Sequence, residues 1–345
     1  LASAKAQMEE AALELRNLQK SMLADPLRLE EVEERLQVIH KLKRKYGPSL
    51  EEIRKFRDDP FTIIDLIANE TINETIGAYL WILMENKMSV TVVGPTGAGK
   101  TTALNAIACL IRPNYKIISV EEVSEINLPH ENWTSTIARS GFGVESEGEI
   151  TLYDLIKSAV RHRPDLVIVG EVRGEEAYVL FQALATGHGG LCTIHAEDVD
   201  TAVKRLSQPP MNIPSSIIPL MNCVINVKHV RTPVFLESGK RLSSRKFTSI
   251  SEIKDANTFK EVFTWNPSTD TFQEKLAESY LLGKMASRLD SPIDKRIDEL
   301  EYRKRVLAHM VEHNIRDYRS VNKVLSKYYN NPQSFQKEFL EKAEW

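Results

Sequence analysis

Short apolar runs alternate with helical patterns through the middle of the 345-residue chain. Four or five consecutive apolar residues between turn residues predict a buried strand, and apolar positions three and four residues apart predict a helix. Their alternation is typical of a mostly parallel sheet covered by helices on both faces. The predicted strands are 89–93, 116–120, 166–169, 191–194 and 224–229, and the predicted helices before and between them are 75–88, 103–110, 155–161 and 174–185.

The two ends of the chain have different patterns. Residues 1–53 carry two helical repeats on either side of Asp25-Pro26, and they predict an antiparallel helical hairpin. After residue 230, the runs 245–253 and 259–264 predict a small antiparallel β-hairpin, and most of the remainder is predicted helical. The predicted domains are therefore a helical hairpin (1–53), an α/β core (54–230) and a C-terminal β-hairpin with a helical subdomain (231–345).

Composition narrows the classes of protein. The net charge of -3 does not favour a nucleic-acid partner, and no apolar run approaches the roughly 20 residues of a membrane-spanning helix. The three cysteines lie in apolar patterns without metal-ligand spacing, which predicts reduced thiols in the cytosol. Because the first residue is Leu1 and not Met, we expect a fragment, a processed chain or an engineered chain.

A glycine-rich segment follows the first predicted strand of the core. It reads GPTGAGKTT and precedes a helical pattern, so it is G-x-x-x-x-G-K-[ST] in the strand–loop–helix setting that gives this motif its meaning. Its glycines permit positive φ, and its backbone N–H groups converge on an anion at the helix N-terminus. The lysine can reach β- and γ-phosphates, and the first threonine can ligate Mg²⁺. The predicted nucleotide-binding residues are Gly94, Pro95, Thr96, Gly97, Ala98, Gly99, Lys100, Thr101 and Thr102.

Acidic, basic and histidine residues lie at or near the ends of the later strands. Hydrolysis of a nucleoside triphosphate needs a Mg²⁺ anchor, a carboxylate that positions or deprotonates water, and positive charge. For each acid the alternative is a solvated carboxylate at a strand end, and for His195 it is a core side chain. The catalytic candidates are Glu121, Glu122, Glu125, Arg161, Glu171, Arg173, His188 and His195.

Together these stretches resemble the signatures of the secretion ATPase superfamily, which powers type II and type IV secretion, type IV pili and the archaeal flagellum. The resemblance comprises a Walker A loop at 94–102, an acidic box at 121–125, a Walker B variant ending G-E-x-R within 164–176, and a His box at 187–195. It runs from about Arg54 to the C-terminus, and residues 301–332 are most similar to the archaeal archaellum and pilus ATPases.

The resemblance implies a RecA-like P-loop NTPase fold that uses ATP and Mg²⁺. It implies that the acids at 121, 122 or 125 hold the catalytic water, and that Glu171 is the Walker B carboxylate and, with Thr101, a Mg²⁺ ligand, partly through water. His188 and His195 would couple the γ-phosphate to movement. Glu122 and Gly174 stand where many relatives have Asp, so the identity of the general base stays open.

The resemblance also implies a homohexamer in the cytoplasm, peripheral to the inner face of the membrane, with a membrane platform protein or filament subunits as partners. Residues 31–53 resemble instead the coiled-coil arm of RecN-type, SMC-like DNA-repair ATPases, which implies a fusion, engineered or natural, with a junction near 53–56. This arm is not the N-terminal domain that the secretion superfamily uses to enclose the nucleotide. Two alternatives therefore accompany the ATPase prediction: a nucleotide-binding scaffold with impaired turnover, and a DNA-associated ATPase.

Overall fold

A computed structural model describes residues 59–139, 148–235, 241–288, 290, 292–332 and 335. These residues belong to one compact unit. The hairpin predicted for residues 1–53 lies outside the described residues, and so does most of the chain after residue 332. In the part of the chain that the structure describes, no helix is both long enough and apolar enough to cross a membrane.

The described strands form one nine-stranded sheet in the order β3-β2-β4-β5-β1-β6-β7-β8-β9. From β3 to β6 every pair of neighbours is parallel, and from β6 to β9 every pair is antiparallel. The strands are β1 Val90–Val93, β2 Ile117–Glu121, β3 Trp133–Ile137, β4 Leu166–Val172, β5 Gly189–Ile194, β6 Cys223–Phe235, β7 Arg241–Ile253, β8 Phe259–Asn266 and β9 Thr271–Glu274.

Helices cover both faces of the sheet, because neighbouring residues of a strand point to opposite sides. Val90 and Val92 of β1 belong to one apolar cluster, whereas Val93 belongs to the other. The first cluster takes residues from α1 Ile63–Ala68, α2 Glu74–Glu85, α3 Lys100–Ala108, α7 Tyr280–Arg288, α8 Ile293–Glu312 and α9 Tyr318–Asn330. The second takes residues from α4 Leu152–Arg161, α5 Glu176–Ala185 and α6 Val199–Ser207.

The strand order confirms the predicted α/β, RecA-like fold. Strand β5 lies between β1, which leads into the glycine-rich loop, and β4, which carries Glu171. Because all three strands are parallel, their carboxyl ends meet at one edge of the sheet, where ligands of open α/β sheets bind.

The predicted β-hairpin forms, but it continues the main sheet. Strand β6 pairs with β1 through residues Cys223–Asn226 and then runs on with β7 to Phe235. The boundary predicted between residues 230 and 231 therefore falls inside a strand. The sequence patterns also missed α1, β3, α6 and β9, of which β3 is an edge strand with no fully buried residue.

A buried arginine ties α8 to α2. The side chain of Arg303 is 1% exposed, and its Nη2 contacts Glu85 of α2 and lies 2.5 Å from Oε1 of Glu299. Its guanidinium also lies 4.9 Å from the ring centroid of Trp81. An arginine in such a position is held by two carboxylates and by aromatic faces.

We predict that Arg303→Ala lowers the free energy of unfolding by about 3 kcal/mol, because it leaves two carboxylates around a cavity without their cation. Urea denaturation of the purified chain measures this change. The control is Lys304→Ala, the next residue of the same helix, whose ion pair with Glu301 is solvent-exposed and should contribute less than about 1 kcal/mol. Equal stability of the two variants would contradict this account of the helix contact.

Candidate functional site

Backbone geometry explains why the loop after β1 needs glycine. Gly94 has φ +155°, and a Cβ atom built on it would lie 2.3 Å from the carbonyl oxygen of Val227 in β6. Gly99 is the N-cap of α3 in the left-handed region, with φ 99° and no capping side chain. No other residue type fits at position 94. Because Gly99 has no side chain to cap the helix, the first backbone N–H groups of α3 stay available. The loop is therefore shaped as an anion cradle.

The lysine of the loop is buried in it. Lys100 is 7% exposed, and its Nζ donates hydrogen bonds to the carbonyl oxygens of Gly94 at 3.0 Å and Pro95 at 3.1 Å. Burial lowers the pKa of Lys100, while the nearby carboxylate of Glu171 acts in the opposite direction. The ammonium group is thus hydrogen-bonded to the backbone of its own loop, at the place where the motif predicts phosphate.

His195 connects this lysine to Glu171. It directly follows β5, and its Nδ1 lies 3.2 Å from Nζ of Lys100 while its Nε2 lies 2.9 Å from Oε1 of Glu171. Burial lowers the pKa of His195; Glu171 opposes that shift, and Lys100 and Arg173 reinforce it. Because an ammonium group only donates, Nδ1 is the acceptor and the proton of the neutral imidazole is on Nε2. Arg205 contacts the carbonyl oxygen of His195 and fixes its backbone.

Glu171 is aimed at the site by a break in strand pairing. The register between β4 and β5 shifts between Val169 and Val172, and such bulges redirect side chains. Oε2 of Glu171 accepts a hydrogen bond of 2.5 Å from Arg173. Oε1 is buried and has no aligned hydrogen-bond donor among the described residues, although Nε2 of His195 is close. This oxygen keeps an acceptor available for a ligand.

The three acids after β2 differ in what they contact. Glu121 is 2% exposed, and its Oε1 accepts hydrogen bonds of 2.9 Å from the backbone N–H groups of Glu125 and Ile126, so it shapes the turn. Glu122 lies within 3.6 Å of Nη1 of Arg173, which joins it to Glu171. The carbonyl oxygen of Glu125 accepts a hydrogen bond from Asn105 of α3. Glu122 is therefore linked to Glu171 through Arg173.

Two of the predicted residues lie at the other edge of the sheet. His188 precedes β5, with Nδ1 3.0 Å from the carbonyl oxygen of Ala183, and Arg161 ends α4 before β4 begins. Because β5 is parallel to β1, its six residues separate His188 from the loop by about 20 Å. Within this chain, the structure does not bring His188 or Arg161 to Lys100.

One basic residue reaches the loop without belonging to any of the four signatures. Arg245 of β7 places its Cδ 3.0 Å from the position of a Cβ atom built on Gly99. No local pattern signals this contact, because it depends on the pairing of β7 with β6. Sequence reasoning therefore missed Arg245.

These groups fit a nucleoside triphosphate with Mg²⁺. The N-terminus of α3 has no capping side chain, and Lys100 supplies a cation beside it. Thr101 lies in the first turn of the same helix, and Glu171 offers a buried carboxylate oxygen. Hydroxyl and carboxylate oxygens can ligate Mg²⁺ directly or accept hydrogen bonds from the water molecules bound to it.

Comparison with known proteins gives the family. The model of the family described as "Type II/IV secretion system protein" matches residues 33–251. "Uncharacterized protein MJ1287" of Methanocaldococcus jannaschii is 43% identical over 71% of this chain and 90% of its own length. "Uncharacterized protein MJ0900" of that organism is 38% identical over 82% of this chain but 51% of its own length. "Type IV secretion system protein PtlH" of Bordetella pertussis is 34% identical over 40% of this chain and 41% of PtlH.

Two solved structures show more distant similarity. The VirB11 ATPase of the Brucella suis type IV secretion system, in complex with sulphate, is 23% identical, with a TM-score of 0.41 over 59% of this chain and 61% of that chain. The pilus retraction motor PilT with bound ADP is 22% identical, with a TM-score of 0.43 over 56% and 54%.

The family match also bears on the N-terminal stretch. It begins at residue 33, ahead of the predicted start near Arg54 and within the stretch compared with a RecN-type arm. That comparison finds no support here and stays a prediction. With a family model that covers more than half of the chain and a relative 43% identical over 71% of it, this chain belongs to the type II/IV secretion system protein family.

Proposed function

We propose that this chain is an ATP-hydrolysing motor of a type II/IV secretion, pilus or archaellum assembly system. The observation that carries the proposal is the line Lys100–His195–Glu171, in which the lysine of a phosphate-binding loop contacts the Walker B carboxylate through one imidazole. Membership of the family and the similarity to PtlH, a type IV secretion system protein, support the choice of machine.

Lys100 is the residue whose contacts change when phosphate enters the loop. Its present partners are two neutral carbonyl oxygens and a neutral imidazole, and charged phosphate oxygens are stronger acceptors for an ammonium group. Thr101 and Glu171 would hold Mg²⁺, which when bound neutralises phosphate charge and orders water. Glu122 and Glu171, joined by Arg173, are the carboxylates placed to orient that water.

Through His195, a change in the contacts of Lys100 would also affect Glu171, outside the loop. When Nζ of Lys100 leaves, Nδ1 of His195 loses its donor, and Nε2 remains next to Glu171. Phosphate binding would thereby shift the position of the end of β5 together with that of the adjacent bulge of β4. In the proposal, this movement drives a homohexamer on the cytoplasmic side of the membrane, which acts on a membrane platform protein or on filament subunits.

Binding is tested with Lys100→Ala. We expect the affinity for ATP·Mg²⁺ to fall at least about tenfold, since charged hydrogen bonds contribute about 1.5–3 kcal/mol each. Isothermal titration measures it. Lys87→Ala is the control, because Lys87 also forms an ion pair, with Asp165, but at the opposite edge of the sheet. Affinity of Lys100→Ala equal to that of the wild type would refute the phosphate site.

Turnover is tested with Glu171→Gln, which keeps the size of the side chain and removes its charge. ATP should still bind, and phosphate release should fall by about 100-fold or more, because a positioned carboxylate contributes about 10²–10⁴ to proton transfer. Glu175→Gln, an exposed neighbour, is the matched control. Normal hydrolysis by Glu171→Gln with loss in Glu121→Gln would move the catalytic role to β2. Tight ATP binding without turnover by the wild type would favour the scaffold alternative.

A further inference from the structure

The β6–β7 hairpin extends past the edge of the sheet where the glycine-rich loop lies. Strand β1 ends at Val93, which pairs with Asn226, whereas β6 continues to Phe235. Strand β7 returns beside it, with Arg245 opposite His229. The hairpin therefore stands next to the loop, close enough for the carbonyl oxygen of Val227 to limit residue 94 to glycine.

Arg245 is the basic residue of β7 that lies over the start of α3. Its Cδ and Nε are 3.0 Å and 3.4 Å from the position of a Cβ atom built on Gly99. The residue is exposed, and within the described ranges no ion pair or side-chain hydrogen bond engages its guanidinium group. Its neighbour Lys246 differs, because it is buried and lies 2.8 Å from Asp270. Lys246 has a structural partner, and Arg245 is available for a ligand.

An anion held by the loop would have two cations from different parts of the chain near it. Lys100 comes from the loop itself, and Arg245 comes from a strand 145 residues later, on the side of Gly99. A guanidinium group donates two parallel hydrogen bonds to phosphate oxygens, which suits it to a polyphosphate. We propose that Arg245 is a further nucleotide-binding residue that contacts the phosphate chain; this inference rests on the proposed function.

Such a contact would connect the nucleotide to the helical part of the chain. Near its other end, β7 carries Glu252, a buried carboxylate that accepts hydrogen bonds from Tyr79 of α2 at 2.6 Å and from the backbone N–H group of Leu281 in α7 at 3.1 Å. The strand that reaches the phosphates through Arg245 is thus also the strand that anchors α2 and α7.

The test is titration of ATP and ADP, with Mg²⁺, into the full chain and its variants. Arg245→Ala should weaken the binding of both nucleotides about tenfold. Arg245→Lys should recover part of the loss, because lysine keeps the charge without the paired donors of a guanidinium group. The matched control is Lys254→Ala, which removes an exposed cation just beyond the far end of β7 and should bind as the wild type does. Thermal unfolding without nucleotide should be unchanged in all three variants, since both side chains are exposed.

The outcomes separate this inference from the proposed function. If Arg245→Ala binds ATP like the wild type while Lys100→Ala does not, Arg245 is a solvated surface residue and the inference is overturned, but the phosphate site stands. If Arg245→Ala loses affinity and Lys100→Ala does not, the nucleotide binds elsewhere and both are overturned. A loss in both variants, with Lys254→Ala unchanged, supports the inference.

Discussion

The ammonium group of Lys100 is held almost out of solvent among carbonyl oxygens, and burial of a charge is unfavourable unless its neighbours compensate. Compensation here comes from the carbonyl oxygens of the loop, from the imidazole of His195 and from the charge of Glu171 beyond it. Each of these partners belongs to a different strand end. The position of one cation therefore depends on the relative placement of β1, β4 and β5.

Sheet topology supplies that placement. The parallel order β4-β5-β1 brings the loop, His195 and the bulge at Glu171 to one edge, and β6 closes the side of the loop. Arg173 extends the cluster to the turn after β2, which Glu121 shapes through two backbone hydrogen bonds. The same arrangement suits exchange of partners, because phosphate is a better acceptor for Lys100 than the carbonyl groups that hold it.

Sequence patterns predicted the parts of this site that are local. The loop, the fold class and the strands of the core follow from short-range rules, since glycine positions and apolar runs are read within a few residues. These rules cannot tell at which end of a strand the residues of a signature reach the site. His188 and His195 flank one strand and lie at opposite edges of the sheet, so only His195 meets Lys100.

Contacts set by long-range pairing were beyond local patterns. Arg245 approaches Gly99 because β7 pairs with an overlong β6, and no spacing in the sequence indicates that length. The edge strand β3 reads WTSTI, which has too few apolar residues for a buried-strand pattern. The domain boundary predicted after residue 230 does not coincide with a break in the sheet. At β6 the chain changes from parallel to antiparallel pairing without leaving the sheet.

The exchange of partners by Lys100 is tested most directly by a crystal structure of the chain with Mg²⁺ and a non-hydrolysable ATP analogue. We expect Nζ of Lys100 within about 3 Å of phosphate oxygens, at ordinary charged hydrogen-bond distance. Its contacts with the carbonyl oxygens of Gly94 and Pro95 and with Nδ1 of His195 should then be lost. A bound analogue with Nζ still on the two carbonyl oxygens, or an analogue bound away from the loop, would contradict the account.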